Sequence, residues 1–142
     1  MKFAATIFFA NLALSVCAGP LDERYAGAHV SAIAAGDVDA VMRNYTNDAT
    51  LDWVGGPLNG SDRGKEAIRS VWLKFSAAND GKPRTVQANA MEAYSHPEGV
   101  SIEQKAIYGG KVPAKVWHVM VYRGGDLTTE IWQITPALDL SH

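Results

Sequence analysis

The spacing of apolar residues changes near residue 79, and this change constrains the fold more than any other feature of the chain. Before it, apolar residues recur at the three- and four-residue spacing of amphipathic helices. After residue 79, the apolar residues occur in short runs that are typical of strands, and turn residues separate these runs. Helices that precede a run of strands predict an α+β domain, with the helices packed on one face of an antiparallel sheet.

The same patterns predict the individual elements. Gly36 followed by Asp37 is a helix stop followed by a helix start, so two helices should meet there. The predicted helices cover residues 21–35, 38–46 and 65–78. A short strand is predicted over residues 50–54 and a loop over 59–64, and the four later strands over residues 84–94, 99–107, 115–123 and 127–134.

The first 18 residues have the composition of a signal peptide. Lys2 is followed by an apolar run over residues 3–16, and Val16 and Ala18 are small enough for a cleavage site after Ala18. We therefore expect a secreted or periplasmic protein whose single domain covers residues 19–142, with no membrane association after cleavage. A lipoprotein with Cys17 as the lipidated residue is the alternative, although Val16 stands where Gly or Ala is expected.

Cleavage would remove Cys17, the only cysteine, so the expected domain has no disulfide and depends on its hydrophobic core. It would also remove Lys2, leaving 12 of the 13 basic residues against 15 acidic ones. This acidic balance and the lack of a basic cluster argue against nucleic-acid binding. The histidines have no metal-ligand spacing, so we expect neither a metal nor another cofactor.

Three segments of the chain resemble the NTF2-like superfamily. They are residues 29–51, which contain Gly36-Asp37 and Asp48-Ala49-Thr50, the motif Gly64-Lys65-Glu66-Ala67-Ile68, and the final segment 123–132. The SnoaL-like and ketosteroid-isomerase-like members are the most similar. The resemblance implies a cone, in which a curved antiparallel sheet wraps around three N-terminal helices and leaves an apolar pocket at its open end. Members include isomerases, cyclases, dehydratases, non-catalytic binders and dimerisation modules.

The isomerase carboxylates do not carry over to this chain. The resemblance puts His29 at the place of the isomerases' oxyanion-hole tyrosine and Trp53 at the place of their general base, with Asp52 one residue early. The place of their second, protonated Asp is Trp117, beside His118. Isomerase chemistry requires one carboxylate base and one neutral acid, so this chain is not expected to catalyse it by that constellation.

Strand alternation and the resemblance together predict the pocket. Trp53, Trp117, Trp132 and Glu130 should point inward and face His29 on the first helix, while His118 should point outward. A carboxylate among tryptophans should have a raised pKa, which suits acid–base chemistry by Glu130 and His29. The remaining candidates for binding a small hydrophobic ligand are Tyr45, Asp52 and His118.

Several alternatives stay open. A one-residue register slip would turn Glu130 outward, and the tryptophans could form ordinary core. The chain could therefore be a cofactor-independent isomerase or lyase, a non-catalytic binder, or a module that forms homodimers through its sheet. Asn44 and Asn59 begin glycosylation sequons, which matter only in a eukaryotic source.

Overall fold

The computed structural model describes residues 20–141, so the predicted signal peptide lies outside the described residues. Three helices come first, with two strands between the second and third, and five strands follow. The helices are α1 (Pro20–Ala35), α2 (Val38–Met42) and α3 (Lys65–Ala77). The strands are β1 (Tyr45–Val54), β2 (Gly60–Arg63), β3 (Val86–Ala88), β4 (Glu92–His96), β5 (Gly99–Tyr108), β6 (Ala114–Arg123) and β7 (Asp126–Ile134).

The strands of residues 20–141 form one open sheet in the order β2-β1-β7-β6-β5-β3, and β4 pairs with the remaining length of β5 beside β3. All pairings are antiparallel except β1 with β7, which run parallel. A parallel pair needs a long crossover, and here the rest of the domain supplies it. The fold is therefore the expected α+β cone, with a curved, mainly antiparallel sheet around N-terminal helices.

Helix boundaries follow local signals in the sequence. Gly36 has a φ of 72°, a left-handed conformation that glycine adopts without strain, and it ends α1. Asp37 accepts a hydrogen bond from the backbone N–H of Ala40 at 3.1 Å and so caps α2. Helix α3 buries Ile68, Val71, Trp72 and Phe75 against the sheet, as its apolar spacing predicts.

Three predicted boundaries were wrong. Helix α2 ends at Met42 instead of residue 46, and Tyr45 already belongs to β1. The predicted loop over residues 59–64 contains β2, which pairs with β1 as a short edge strand. The predicted strand over residues 84–94 is divided into β3 and β4, because Asn89 leaves the regular ladder and accepts from the Lys105 N–H through its side chain.

A bulge in β7 decides which residues of that strand face the core. Tyr122 pairs with Leu127 and Val121 pairs with Thr129, so Thr128 is an extra residue in the ladder. Alternation therefore changes at this point, and Leu127, Glu130 and Trp132 are all buried. Without the extra residue, the face that carries Leu127 would continue with Thr129 and Ile131.

No helix in residues 20–141 is long and apolar enough to span a membrane.

Candidate functional site

Three polar side chains meet the carboxylate of Glu130, inside the cone. His29 Nε2 lies 2.9 Å from Glu130 Oε1, and His118 Nε2 lies 2.5 Å from the same oxygen. Tyr45 donates its hydroxyl to Oε2 of Glu130. Glu130 and His118 have no exposed surface, and His29 and Tyr45 are 4% and 3% exposed. We call these four residues the polar cluster.

Each member of the polar cluster comes from a different element. His29 lies on α1, Tyr45 begins β1, His118 lies in the middle of β6, and Glu130 follows the bulge of β7. In the ladders, Met120 pairs with Glu130 and His118 pairs with Trp132. The cluster therefore ties the first helix to three adjacent strands.

The structure brings the predicted pair His29 and Glu130 together, but the expected pKa direction for Glu130 was wrong. Burial alone would raise the pKa of Glu130, as the sequence suggested. The charge of His29 and the hydrogen bonds of both histidines more than offset burial, so the pKa of Glu130 is lowered. Glu130 is therefore an ionised carboxylate, and it acts as a hydrogen-bond acceptor only.

Two groups that contact Glu130, His118 and Tyr45, have shifted pKa values. Burial lowers the pKa of His118, although Glu130 opposes the shift. Burial and the Glu130 charge raise the pKa of Tyr45 well above its ordinary value, so its hydroxyl stays a donor. Because Oε1 can only accept, the neutral His118 must carry its proton on Nε2, which leaves Nδ1 as an acceptor.

Three buried polar atoms next to the cluster have no hydrogen-bond partner within residues 20–141. They are His118 Nδ1, the indole Nε1 of Trp132 and the hydroxyl of Tyr108. The Trp132 ring lies 5.0 Å from both the His118 ring and the Tyr108 ring, measured between centroids. Unpaired buried polar atoms are rare and costly, so this region has unused hydrogen-bonding capacity.

The donor set of His29, His118 and Glu130 is one that could hold a metal ion, because its ligand atoms lie within 4.8 Å of one another. Two histidines and one carboxylate suit Zn²⁺ or Fe²⁺. The observed separations of 2.9 Å and 2.5 Å are those of hydrogen bonds, however, and the ligand atoms would have to move apart to admit an ion.

An aromatic layer lies over the polar cluster. Trp72 contacts the His29 ring edge-on at 6.3 Å and donates its indole N–H to the Tyr45 hydroxyl at 2.9 Å. Trp132 packs on His118 on one side and on Trp53 on the other, at 5.0 Å and 5.2 Å between centroids. Phe75 contacts Trp53, Trp72 and Trp132. These four rings seal the cluster from the open end of the cone.

A pocket of about 420 Å³ lies on the other side of this layer. Its walls are mainly apolar, and no member of the polar cluster lines it. The lining residues are Trp53, Gly56, Pro57, Leu58, Lys74, Phe75, Ala78, Arg84, Val112, Pro113, Ala114 and Ile134. We call this cavity the mouth pocket.

Two predicted orientations on β6 were wrong. His118 points inward and Trp117 points outward, the reverse of the expectation. The inward residues of β6 are Ala114, Val116, His118, Met120 and Tyr122. The inward expectation for Trp117 rests on the resemblance to the isomerases, which does not fix the alignment of this strand to the residue. An offset of one residue exchanges the two faces of a strand. Trp117 instead lines a small outer groove with Asn89 and Gln104.

The remaining predicted site residues have separate places. Trp53 lines the mouth pocket, and Trp132 lies fully buried beneath it. Asp52 lies on the outer face of β1, where it accepts from the hydroxyl of Ser61 at 2.5 Å. Tyr45, predicted at the end of a helix, is a strand residue bonded to Glu130.

Sequence reasoning missed the two cations of the mouth pocket, Lys74 and Arg84. Lys74 lies on the exposed side of the predicted helix, and the sequence predicts Arg84 as the first residue of a strand. Arg84 is only 7% exposed and donates to the carbonyls of Gly109, Val112 and Phe75. No local pattern marks such an arginine, because its partners come from distant loops.

Comparison with known proteins finds similarity in structure alone. No protein-family model matches the chain, and no curated protein matches it. An NTF2-like protein of unknown function from Pseudomonas putida has a TM-score of 0.66 at 14% identity, over 84% of this chain and 86% of that one. A ketosteroid isomerase-like protein from Erwinia carotovora atroseptica has a TM-score of 0.63 at 19% identity, over 82% and 95%.

An NTF2-like protein of unknown function from Burkholderia xenovorans has a TM-score of 0.60 at 21% identity, over 84% of this chain and 86% of that one. These similarities show that the chain has the NTF2-like fold. At such identities they assign no activity to it.

The Tyr45→Phe substitution should lower the free energy of unfolding by about 1–3 kcal/mol, because it leaves Glu130 Oε2 and the Trp72 N–H without their partner. Urea denaturation at pH 7 measures the change. Tyr94→Phe is the matched control: Tyr94 is 59% exposed and also donates to a glutamate, Glu92. Its loss should stay within about 0.5 kcal/mol, and equal effects of the two substitutions would contradict a stabilising role for the cluster.

Stability should fall as the pH is lowered below about 6.5. The lowered pKa of His118 means that the unfolded chain takes up a proton there while the folded chain does not. Glu130 adds a second loss below its ordinary value of 4.5, because its folded pKa is depressed. Urea denaturation between pH 7.5 and 5 measures a slope of up to about 1.4 kcal/mol per pH unit for one proton.

His118→Gln should reduce this slope, whatever it does to stability at a single pH. His96→Gln, at an exposed position, should leave the slope unchanged. An undiminished slope in His118→Gln would assign the pH dependence to other groups.

Proposed function

We propose that this NTF2-like protein binds a hydrophobic small molecule in its mouth pocket. The observation that carries the proposal is an open apolar cavity of about 420 Å³ with Trp53 and Phe75 in its wall. Small-molecule sites are typically concave, mainly apolar and about 300–1,000 Å³ in volume. The flat indole and phenyl faces suit a ligand with a flat or aliphatic body.

The separation between the mouth pocket and the polar cluster favours binding over catalysis. A general base must come within hydrogen-bond reach of the proton that it removes. A molecule in the mouth pocket meets Trp53 and Phe75, and the polar cluster lies beyond Trp72 and Trp132. Access to Glu130 would require these buried rings to move.

The proposal includes the finer features that the sequence predicts. These are a SnoaL-like member of the superfamily and export to a secreted or periplasmic location. Homodimer formation through the outer sheet face also remains a proposal.

Ala78→Trp should abolish binding, because residue 78 lines the pocket and an indole there would fill it. Titration with the neutral fluorescent probe N-phenyl-1-naphthylamine measures binding by the saturable rise of probe emission. The matched control is Ala77→Trp, an exposed neighbour that does not line the pocket.

We expect at least a tenfold loss of probe affinity in Ala78→Trp and none in Ala77→Trp. Lack of saturable binding to the wild-type protein would count against the proposed function. Equal binding by the two variants would place the probe elsewhere.

A second candidate function is acid–base catalysis by His29 and Glu130 without a cofactor, as in an isomerase or lyase. The observation that favours it is the buried contact of 2.9 Å between His29 and Glu130, beside three buried polar atoms that have no partner in residues 20–141. A polar substrate that reached this region could satisfy Trp132 Nε1 and His118 Nδ1 while a histidine–carboxylate pair moved a proton.

For any substrate found, Glu130→Gln and His29→Gln should each reduce kcat by at least about a hundredfold, the usual size of a general acid–base contribution. Circular dichroism must show that both variants are folded. Retained turnover in both folded variants would eliminate this candidate.

A further inference from the structure

The mouth pocket carries positive charge that no acidic side chain balances. Its lining contains the cations Lys74 and Arg84 and no aspartate or glutamate. Within residues 20–141, neither cation forms an ion pair, since the ion pairs there use other residues. Asp62 shares a separate groove with Lys74, but no ion pair joins them.

Arg84 is the more informative cation because it is buried. Its guanidinium donates to the carbonyls of Val112 at 2.8 Å, Gly109 at 3.0 Å and Phe75 at 3.2 Å. These bonds use three of the five guanidinium N–H groups. The central carbon lies 4.3 Å from the centroid of the Phe75 ring, so the cation also packs on an aromatic wall of the pocket.

The three carbonyls accept hydrogen bonds from Arg84 and the Phe75 ring face attracts the cation, but neither carries a charge that would neutralise it. A buried cation is costly unless it is paired, and burial indeed lowers the pKa of Arg84. Arg84 fixes the loop that carries Gly109 and Val112 and at the same time lines the cavity. Lys74 adds a second, exposed positive charge at the same cavity.

We propose that the ligand of the mouth pocket is a lipophilic organic anion, a free carboxylic acid with an apolar body, whose carboxylate meets Arg84 and Lys74. This inference rests on the proposed function and narrows it to a ligand class. The apolar body packs on Trp53, Phe75 and Ile134, and the carboxylate completes the neutralisation of the arginine. A cavity of about 420 Å³ suits a small free acid better than a two-chain lipid.

The test compares two competitors of the same shape and different charge. The probe N-phenyl-1-naphthylamine is displaced either by 1-naphthaleneacetic acid, an anion at pH 7.5, or by 1-naphthaleneacetamide, its neutral analogue. The acid should displace the probe at a concentration at least about tenfold lower than the amide.

Two variants locate the charge effect. Lys74→Gln should reduce the preference for the acid severalfold, and Arg84→Lys should reduce it because a lysine lacks the planar fork. Lys65→Gln, at an exposed position that does not line the pocket, should retain the full preference. If Arg84→Lys fails to fold, the preference for the acid over the amide is compared between Lys74→Gln and Lys65→Gln. A reduced preference in Lys74→Gln alone still locates the charge effect in the mouth pocket.

The outcomes separate the two proposals. Equal displacement by acid and amide would overturn the inference and leave the proposed function intact, while failure of the probe to bind would overturn both. Displacement by neither competitor while the probe binds would also overturn the inference. Sedimentation of the protein with phosphatidylglycerol vesicles, without displacement by the free acid, would assign the cations to a membrane surface and overturn it as well.

Discussion

The buried carboxylate of Glu130 is the constraint on which the rest of the structure depends. Moving an ion out of water costs several kcal/mol even after relaxation, so the fold must surround this one with donors. His29, His118 and Tyr45 supply them from α1, β6 and β1. Their positions fix how the first helix sits against the sheet. Removing a single donor leaves a buried charge short of a partner, which makes the register of β6 against β7 strongly specified.

An aromatic layer packs over this carboxylate and separates it from the open end of the cone. Trp72 belongs to this layer and also supports the polar cluster. Its ring contacts His29, and its indole N–H donates to the Tyr45 hydroxyl, which in turn donates to Glu130. Trp132, Trp53 and Phe75 extend the layer to the wall of the mouth pocket. The cone is thereby divided into a sealed polar interior and an open apolar mouth. The chain has the NTF2-like fold, and its open pocket is lined by apolar side chains and two cations, while His29 and Glu130 lie in the sealed interior.

This division changes the interpretation of the polar cluster. A histidine and a glutamate on inward positions suggested catalysis from sequence, and the structure does join them. It also gives Glu130 a second histidine, and His29 and His118 together lower the pKa that burial alone would raise. Strand alternation and the family resemblance could identify Glu130 and His29 as partners, but they could not give the number of other groups that contact Glu130. The balance between burial and neighbouring charge, which sets the pKa, depends on that count.

The sequence by itself determined the α+β class, the presence of three helices before the final strands, and the bounds of α1, α3 and the last three strands to within one residue. These follow from spacing, caps and turns, which are local properties of the chain. Only the tertiary structure decided that Thr128 is a bulge, that His118 faces inward while Trp117 faces outward, and that Arg84 reaches the mouth pocket. Strand register is set by pairing between distant segments, and one extra residue exchanges the faces of a strand. The partners of Arg84 likewise lie on loops and a helix end that only folding brings together.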